Sequence, residues 1–396
     1  MELKEVVVIS GARTAIGSMG GGLKDVHQTD LGGLVIREAV RRAGIEDSLV
    51  DEVIVGNVGQ IAESGFIGRM CSLKAGLPLE TTAYSLNRQC GSGLQALADG
   101  MMQIQTGNAD VVVACGTENM SQLPYYVKGA RFGYRMGHGQ LEDGLIDILT
   151  WPMGPYHNGV TAENVAERFN ISRQEQDEFA LLSQQKAVKA IAEGKFKDEI
   201  LAVEISAGKG QTTMFDTDEH PRSGLTLDKL AKLKPAFKPG GSVTAANSSG
   251  INDGAGAVVL MSREKAEELG LKAVLVIKGY AVAGVEPEIM GYGPAPATKK
   301  LLQKLNLKVA DLDLIELNEA FASQSVAVVK DLGLDLDKVN PNGGAIALGH
   351  PVGATGAILP VKLMYEMPRR QARLGLATMC IGGGQGISMI FENLQR

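Results

Sequence analysis

Three short segments of this chain carry side chains that can do chemistry. Cys90 sits in Asn87-Arg88-Gln89-Cys90-Gly91-Ser92-Gly93, and His350 in Gly349-His350-Pro351-Val352-Gly353. A second thiol, Cys380, is followed by Ile381 and then Gly382-Gly383-Gly384. Glycines bring backbone N–H groups close to a reacting carbonyl, because no Cβ stands in the way. Two thiols and an imidazole bedded in glycine point to acyl transfer through a thioester.

Each residue has a definite chemical expectation. Leu94, Leu97, Met101 and Ile104 recur near helical spacing after Cys90. That puts the thiol at a helix N-terminus, where the dipole and open N–H groups favour the thiolate. The alternative is a buried, inert cysteine. Pro351 suits the first turn of a helix, so His350 also stands at a helix start. An imidazole near Cys90 would take its proton, the Cys–His logic of covalent catalysis. Asn318 ends an apolar strand, with Glu319-Ala320-Phe321 opening the next helix. Its amide either caps that helix or orients a water or an oxyanion.

The elements that must position these groups alternate along the chain. Strands are expected at Val6 to Ile9, Glu52 to Val55, Val111 to Cys115, Ala257 to Met261, Val274 to Lys278, Leu312 to Leu317, Ala377 to Ile381 and Ile387 to Phe391. Helices are expected at Leu31 to Ala43, Leu94 to Gln105, Arg173 to Glu193, Thr298 to Leu305, Glu319 to Leu332 and Thr355 to Met367. Such alternation implies an α/β fold of βαβ units, with sheets covered on both faces.

The chain also repeats itself. Asp51 to Asn57 resembles Leu312 to Asn318, an acidic residue, a strand and then Asn. Asn57 precedes Cys90 by about the same interval as Asn318 precedes His350. Each glycine-led helix is followed by a strand with a cysteine, Cys115 or Cys380. The expectation is two related halves around one core. Residues 1–119 with 251–272 form the first and 273–396 the second. Residues 120–250 form a loop domain inserted in the first half. That insert carries Tyr125, Tyr126, Phe132, Tyr134, Trp151 and Tyr156, then a basic stretch of Arg222, Lys229, Lys232, Lys234 and Lys238. Such a stretch is either a solvated loop or a dock for a phosphate-rich ligand.

Composition removes other classes. The 396 residues are 44% hydrophobic and 21% charged, as in ordinary globular domains. A net charge of -6 with 5% aromatics argues against nucleic-acid binding. Four scattered cysteines with no C-x-x-C pair argue against a zinc ribbon or a disulfide framework. No apolar run approaches the roughly 18 residues of a membrane span. The chain enters its first strand at Val6, and Gln395-Arg396 ends no peroxisomal tripeptide. Cytoplasm is the expected compartment, with no metal and no cofactor.

The four reactive segments, in this order, resemble the thiolase family over essentially the whole chain, closest to its bacterial acetyl-CoA C-acetyltransferase branch. The matching motifs are Asn87-x-x-Cys90-x-Ser92-Gly93, Asn318-Glu319-Ala320-Phe321, Gly349-His350-Pro351 and Cys380-x-Gly382-Gly383-Gly384. Gly11 to Gly17, and Tyr156-His157 before Thr161-Ala162-Glu163, fit as well. The resemblance implies a layered thiolase fold and the reversible condensation of two acetyl-CoA to acetoacetyl-CoA and CoA. It implies Cys90 as the acylated nucleophile, His350 as its activator and Cys380 as the acid/base for the α-proton. Asn318 would position a water beside His350 in one oxyanion hole. Backbone N–H groups of Cys90 and Gly382 would form the other, worth roughly 3–4 kcal/mol per donor. His157 and Ser249 would face the pantetheine arm, Arg222 and Phe237 the nucleotide end. Met290 would line the acyl pocket beside Ala320 and Phe321. CoA esters would be substrates, and the assembly a homotetramer, a dimer of dimers, with the loops near 123–140 as contacts.

One position departs from that branch. Asn158 follows the Tyr156-His157 pair where the branch has Met, which bears on the acyl chains accepted. A 3-ketoacyl-CoA thiolase of broader chain length is therefore the alternative activity. A decarboxylative ketoacyl synthase would want a second histidine where Cys380 stands. A CoA-ester binding protein without catalysis would not retain all four reactive positions.

Overall fold

The computed structural model describes residues 3–61 and 64–395. Its strands are β1 (Val6–Thr14), β2 (Glu52–Gly56), β3 (Thr82–Leu86), β4 (Val111–Asn119), β5 (Asn252–Ser262), β6 (Leu275–Gly284), β7 (Leu314–Leu317), β8 (Leu374–Ile381) and β9 (Gln385–Asn393). They join in one twisted sheet in the order β7-β8-β9-β6-β1-β5-β4-β2-β3. The runs Val6-Val7-Val8-Ile9 and Val111-Val112-Val113 are buried on both faces. That explains why they read as continuous apolar stretches rather than alternating ones.

The order contains the repeat. The set β2-β4-β5-β1 mirrors β7-β8-β9-β6, each with one parallel and two antiparallel pairings. The halves meet where β1 and β6 pair antiparallel, Val7 with Val276 and Val8 with Leu275. This is the α/β fold of two related halves expected from the sequence.

The register of the repeat differs from the one read in the sequence. Asp51 Oδ2 accepts the N–H groups of Asp110 and Val111, and Asp313 Oδ2 accepts those of Arg373 and Leu374. These two aspartates are therefore equivalent. Counting along the parallel ladders, where Glu52 faces Val112 and Leu314 faces Gly375, sets Gly56 opposite Asn318 in the repeat. The same count sets Thr117, not Cys115, at the place of Cys380. The sequence match aligned the two asparagines, Asn57 and Asn318, and so slipped by one residue. In a strand such a slip moves a side chain to the other face.

The principal helices are α1 (Gln28–Ala43), α2 (Ser92–Gln105), α3 (Asn158–Arg168), α4 (Arg173–Ala192), α5 (Pro294–Leu305), α6 (Ala322–Leu332) and α7 (Val352–Arg369). α1 lays Leu31, Val35, Ile36 and Val40 on Val53, Val55, Val111 and Val113. α5 does the same for the second half with Leu301 and Leu302 on Ile315, Leu317 and Leu376. α2 and α7 lie between the halves. Leu94, Leu97 and Met101 of α2 share a core with Val361 and Leu363 of α7, with Val112 and Leu260 of one half, and with Met379 and Met389 of the other. Ten of the fourteen residues of α2 are buried, and Asp99, Met102, Gln103 and Gln105 form its less buried side.

Residues 120–250 hold α3, α4 and a hairpin of Val203–Gly208 and Gln211–Phe215. The pair Ile200–Leu201 runs parallel to β1. Strand β3, helix α3 and a helix at Ile67–Lys74 lack a strong apolar period and were not predicted. The helix expected from Glu319 begins at Ala322 instead. Glu319 faces inward and accepts from Ser183, Asn340 and the N–H of Ile346. The segment 318–321 is thus a loop held by buried hydrogen bonds. Among the described residues, no helix is long and apolar enough to cross a membrane.

Candidate active site

Cys90 stands on a tight turn between β3 and α2. Gln89, just before it, adopts a left-handed φ of 47°. Such a conformation is costly for a non-glycine residue unless its surroundings hold it. Two motif residues do so. Asn87 Oδ1 accepts the N–H of Gln89 at 2.8 Å. Ser92 Oγ donates to the carbonyl of Gln89 at 2.6 Å and accepts the N–H of Arg88 at 2.9 Å. The Asn-x-x-Cys-x-Ser spacing is the spacing of this brace.

The backbone N–H of Gly382, from the other half of the molecule, and that of Cys90 itself lie near enough to the Cys90 sulphur to favour its ionised form. Burial nevertheless pushes the thiol up to about 11, and the charge of Glu118 adds to the rise. The sequence expectation of a thiolate favoured by the helix N-terminus is corrected here. Desolvation outweighs both N–H groups. Cys380, fully buried on β8, is raised further, by burial first and by Cys90 second. The two thiols are free and close enough to feel each other's charge.

Asn318 and His350 meet from β7 and α7, with Asn318 Nδ2 3.4 Å from His350 Nε2. Asn318 does not cap a helix, as one sequence alternative had it. Its Oδ1 is buried and makes no hydrogen bond within the protein. The backbone of His350 is fixed by Asn252 on β5, whose Oδ1 accepts its N–H at 2.9 Å. Burial lowers the imidazole to about 4, so it is neutral at physiological pH.

The helices behind the two reactive groups touch backbone to backbone. A Cβ placed on Gly93 would lie 2.5 Å from Ala357 N, and one on Gly356 would lie 2.2 Å from Leu94 N. No side chain fits between α2 and α7 there, so the main chain sets the spacing of the two helices that follow Cys90 and His350.

Apolar residues gather around Cys380. Met290, Ala320, Phe321, Ala162 and Val243 form one buried cluster with it, and Phe237 packs at its edge. Phe237 stacks on His157 at 5.0 Å and meets Phe321 edge-on at 6.0 Å. His157 caps α3 through Nδ1, which accepts the N–H of Gly159 at 3.0 Å. Burial lowers its pKa. The N–H of Ser249 bonds to the carbonyl of Ala320 at 3.0 Å, tying its loop to the segment after Asn318. Asn158 lies on the other side of the thiols. A Cβ on Gly382 would be 3.8 Å from Asn158 Nδ2 and 3.7 Å from Gln89 Cγ.

Arg222 is not in this cluster. With His220, Lys229, Leu225, Ala245 and Ala246 it lines a cavity of about 230 Å³. Phe237, expected with Arg222 toward the nucleotide end, packs against His157 and Phe321. Of the basic stretch, Arg222 and Lys229 face the cavity, while Lys238 pairs with Glu167 on the surface. Sequence reasoning missed three residues beside the site. Gln89 had no signal of its own although it lies in the Cys90 motif, and Thr355 stood only as the first residue of an expected helix. Glu118 had the mild signal of an acid ending an apolar strand. Among the described residues, no group of three or more His, Cys, Asp or Glu side chains is placed to hold a metal.

Comparison with known proteins bears on this geometry. The model of the thiolase N-terminal domain matches residues 6–264, and that of the thiolase C-terminal domain residues 271–393. An acetyl-CoA acetyltransferase of Syntrophomonas wolfei is 50% identical over 398 residues, covering 99% of this chain and 100% of the relative. The crystal structure of the Bacillus anthracis acetyl-CoA acetyltransferase superposes with a TM-score of 0.97 at 47% identity, covering 99% of both chains. That of human mitochondrial 3-ketoacyl-CoA thiolase gives 0.95 at 43% identity, again over 99% of both.

Proposed function

Since the chain belongs to the thiolase family, we infer that it is an acetyl-CoA acetyltransferase, joining two acetyl-CoA into acetoacetyl-CoA and CoA by a reversible Claisen condensation. The observation that carries this reading is the Cys90 sulphur near the N–H groups of Gly382 and Cys90 and within reach of the charge of Cys380. Full-length relatives that bear the acetyltransferase name support the substrate.

The chemistry follows from the protonation states. Neutral His350 takes the proton of Cys90 as the sulphur attacks the thioester carbonyl. The oxyanion formed there sits where Gly382 and Cys90 direct their N–H groups. The tetrahedral intermediate expels CoA thiolate, which takes the proton of Cys380 and leaves as CoA, so that Cys380 becomes the thiolate and His350 stays protonated. A second acetyl-CoA then loses its α-proton to the thiolate of Cys380. A buried thiol of high pKa is a strong base once ionised, which suits a weakly acidic C–H. The enolate oxygen is held by protonated His350 Nε2 and by a water on Asn318, whose free Oδ1 supports that role. The enolate carbon attacks the acetyl-Cys90 carbonyl, Cys90 leaves as thiolate, and the proton held on His350 returns to it, while Cys380 keeps the proton taken from the α-carbon.

Met290, Ala320 and Phe321 would line the acyl pocket, with Asn158 at its polar side. His157, Phe237 and Ser249 would flank the pantetheine arm, and Arg222 would meet the anionic nucleotide end. The protein would act in a reducing compartment, the cytoplasm, which suits four free thiols. A homotetramer would cover the exposed Tyr125, Phe132, Met136 and Leu141; sedimentation equilibrium giving a smaller species would remove that assembly.

The test is CoA-dependent cleavage of acetoacetyl-CoA beside 3-ketohexanoyl- and 3-ketodecanoyl-CoA. Preference for the four-carbon substrate is expected, with no turnover and no acyl-enzyme in Cys90→Ser. Equal or better rates on the longer chains would make it a general 3-ketoacyl-CoA thiolase. Full activity of Cys90→Ser would overturn the mechanism.

A further inference from the structure

We propose that Thr355 is the positioning residue that fixes the tautomer of His350. The inference rests on His350 being the base for Cys90. Thr355 lies on the first turn of α7 and is buried. Its Oγ1 is 2.6 Å from His350 Nδ1 and 2.9 Å from the carbonyl oxygen of Pro351. Both contacts are short, and both cannot use the same hydrogen.

Donor and acceptor counting settles the arrangement. A carbonyl oxygen only accepts, and a hydroxyl has one hydrogen and two lone pairs. The Thr355 hydrogen therefore goes to Pro351 O. That contact is the back-bond of a threonine to the carbonyl four residues earlier in a helix. The lone pairs of Oγ1 then face Nδ1, so the proton on that nitrogen must belong to the imidazole. With Nδ1 protonated, neutral His350 carries its free lone pair on Nε2. That nitrogen faces Asn318 and is the one able to accept a proton from Cys90. Once it has, the imidazolium keeps its Nδ1–H bond to Thr355 unchanged and offers Nε2–H to an oxyanion. The same bond serves both forms, so the ring need not turn between the two halves of the reaction.

Sequence proximity makes the device local. His350, Pro351 and Thr355 lie within two turns of chain, and Asn252 separately holds the His350 backbone. Without the hydroxyl, Nδ1 would be a buried group with no partner, and the opposite tautomer would be free to form through its bond with Asn318. A ring with Nε2 protonated cannot take a proton from Cys90. Thr355 touches no substrate in this account; it acts through His350.

The experiment compares the wild type with Thr355→Val, which removes the hydroxyl at nearly constant volume, and Thr355→Ser, which restores it. Thiolysis of acetoacetyl-CoA by Thr355→Val should lose roughly 10- to 100-fold in kcat, within the range of a misplaced general base, with KM little changed. Thr355→Ser should recover most of the rate. The 15N spectrum of the five histidines, with His350 assigned by His350→Asn, should show the Nδ1–H tautomer in the wild type and its loss in Thr355→Val. Wild-type kcat in a folded Thr355→Val, or a wild-type resonance of the Nε2–H form, overturns the proposal. If the valine variant does not fold, the wild-type spectrum still decides. A wild type that cleaves no 3-ketoacyl-CoA would instead refute the proposed function, a distinct outcome.

Discussion

Glu118, at the end of β4 in the first half, accepts the N–H of Gly353, in the first turn of α7 in the second, at 2.8 Å. The same carboxylate accepts from Asn57 Nδ2 and from the N–H groups of Val58 and Gly59. It therefore fastens the helix that follows His350 to the half that carries Cys90. Glu118→Gln puts an NH2 group where N–H donors already point. The variant should lose about 1–3 kcal/mol of stability, the cost of unmatched buried donors. Burial raises Glu118 to about 7, and its charge raises Cys90. Iodoacetamide should thus alkylate Cys90 of the variant faster than that of the wild type only above that pH. Matching profiles throughout would show that the carboxylate does not act on the thiol.

The pH profile of thiolysis should reflect a base displaced from its usual range. His350 is lowered to about 4 by burial. It is the working base while neutral, above that pKa, and is lost as pH falls through it. The acid limb attributable to His350 should lie near pH 4, provided the assembly stays folded there. A single protonation near 6.5, absent from His350→Asn, would mean a solvated imidazole and contradict the buried geometry.

Lys362 of α7 and Glu316 of β7 are a buried pair, Nζ to Oε2 at 2.6 Å, and Lys362 also donates to the carbonyl of Gly343 at 2.9 Å. Lys362→Met should cost about 3–5 kcal/mol, because it strands a buried carboxylate. Burial already raises the Glu316 carboxyl. The loss should shrink as pH falls and Glu316 takes up a proton, and Glu316→Gln in the same chain should restore much of it. Urea denaturation at two pH values reads both effects; an equal loss at each would leave the penalty unexplained by charge.

Asn158 and Gln89 present two amides beside Gly382. Asn158→Met, which installs the residue of the acetyltransferase branch, should favour the four-carbon chain, raising kcat/KM for acetoacetyl-CoA relative to 3-ketohexanoyl-CoA by roughly 10-fold, the order one methylene in an apolar pocket allows. An unchanged ratio would place the acyl chain elsewhere.

Much of the site was legible because its signals are local. Asn87, Cys90 and Ser92 brace one turn, and a turn leaves its residue types in consecutive positions. His350 and Cys380 were equally plain in their glycine-rich segments, and Asn318 at the end of an apolar strand. What was hidden depends on partners far along the chain. Glu118 meets Asn57 and Gly353 only after four strands have paired. The thiol of Cys90 looked activated because a helix start is a local feature, whereas the burial that overrides it comes from both halves. The repeat was visible, but its register was not. Gly56 must be glycine because a Cβ there would sit 2.4 Å from Ser92 C, while its counterpart Asn318 needs a side chain to reach His350. Equivalent positions thus carry unlike residues, and matching like letters gave the slip.

The contact of Gly93 with the α7 backbone has a consequence for how this enzyme fails. Mobile loops supply the catalytic groups of many proteins, and those can fray while the rest stays intact. Here the segments bearing Cys90 and His350 are anchored to two largely buried helices, whose separation is set by main-chain atoms. The centre has no low-energy opening of its own. Heat inactivation and loss of the core should therefore be a single event, and amides of residues 93–97, 356–359 and 361 should exchange with solvent only by global unfolding.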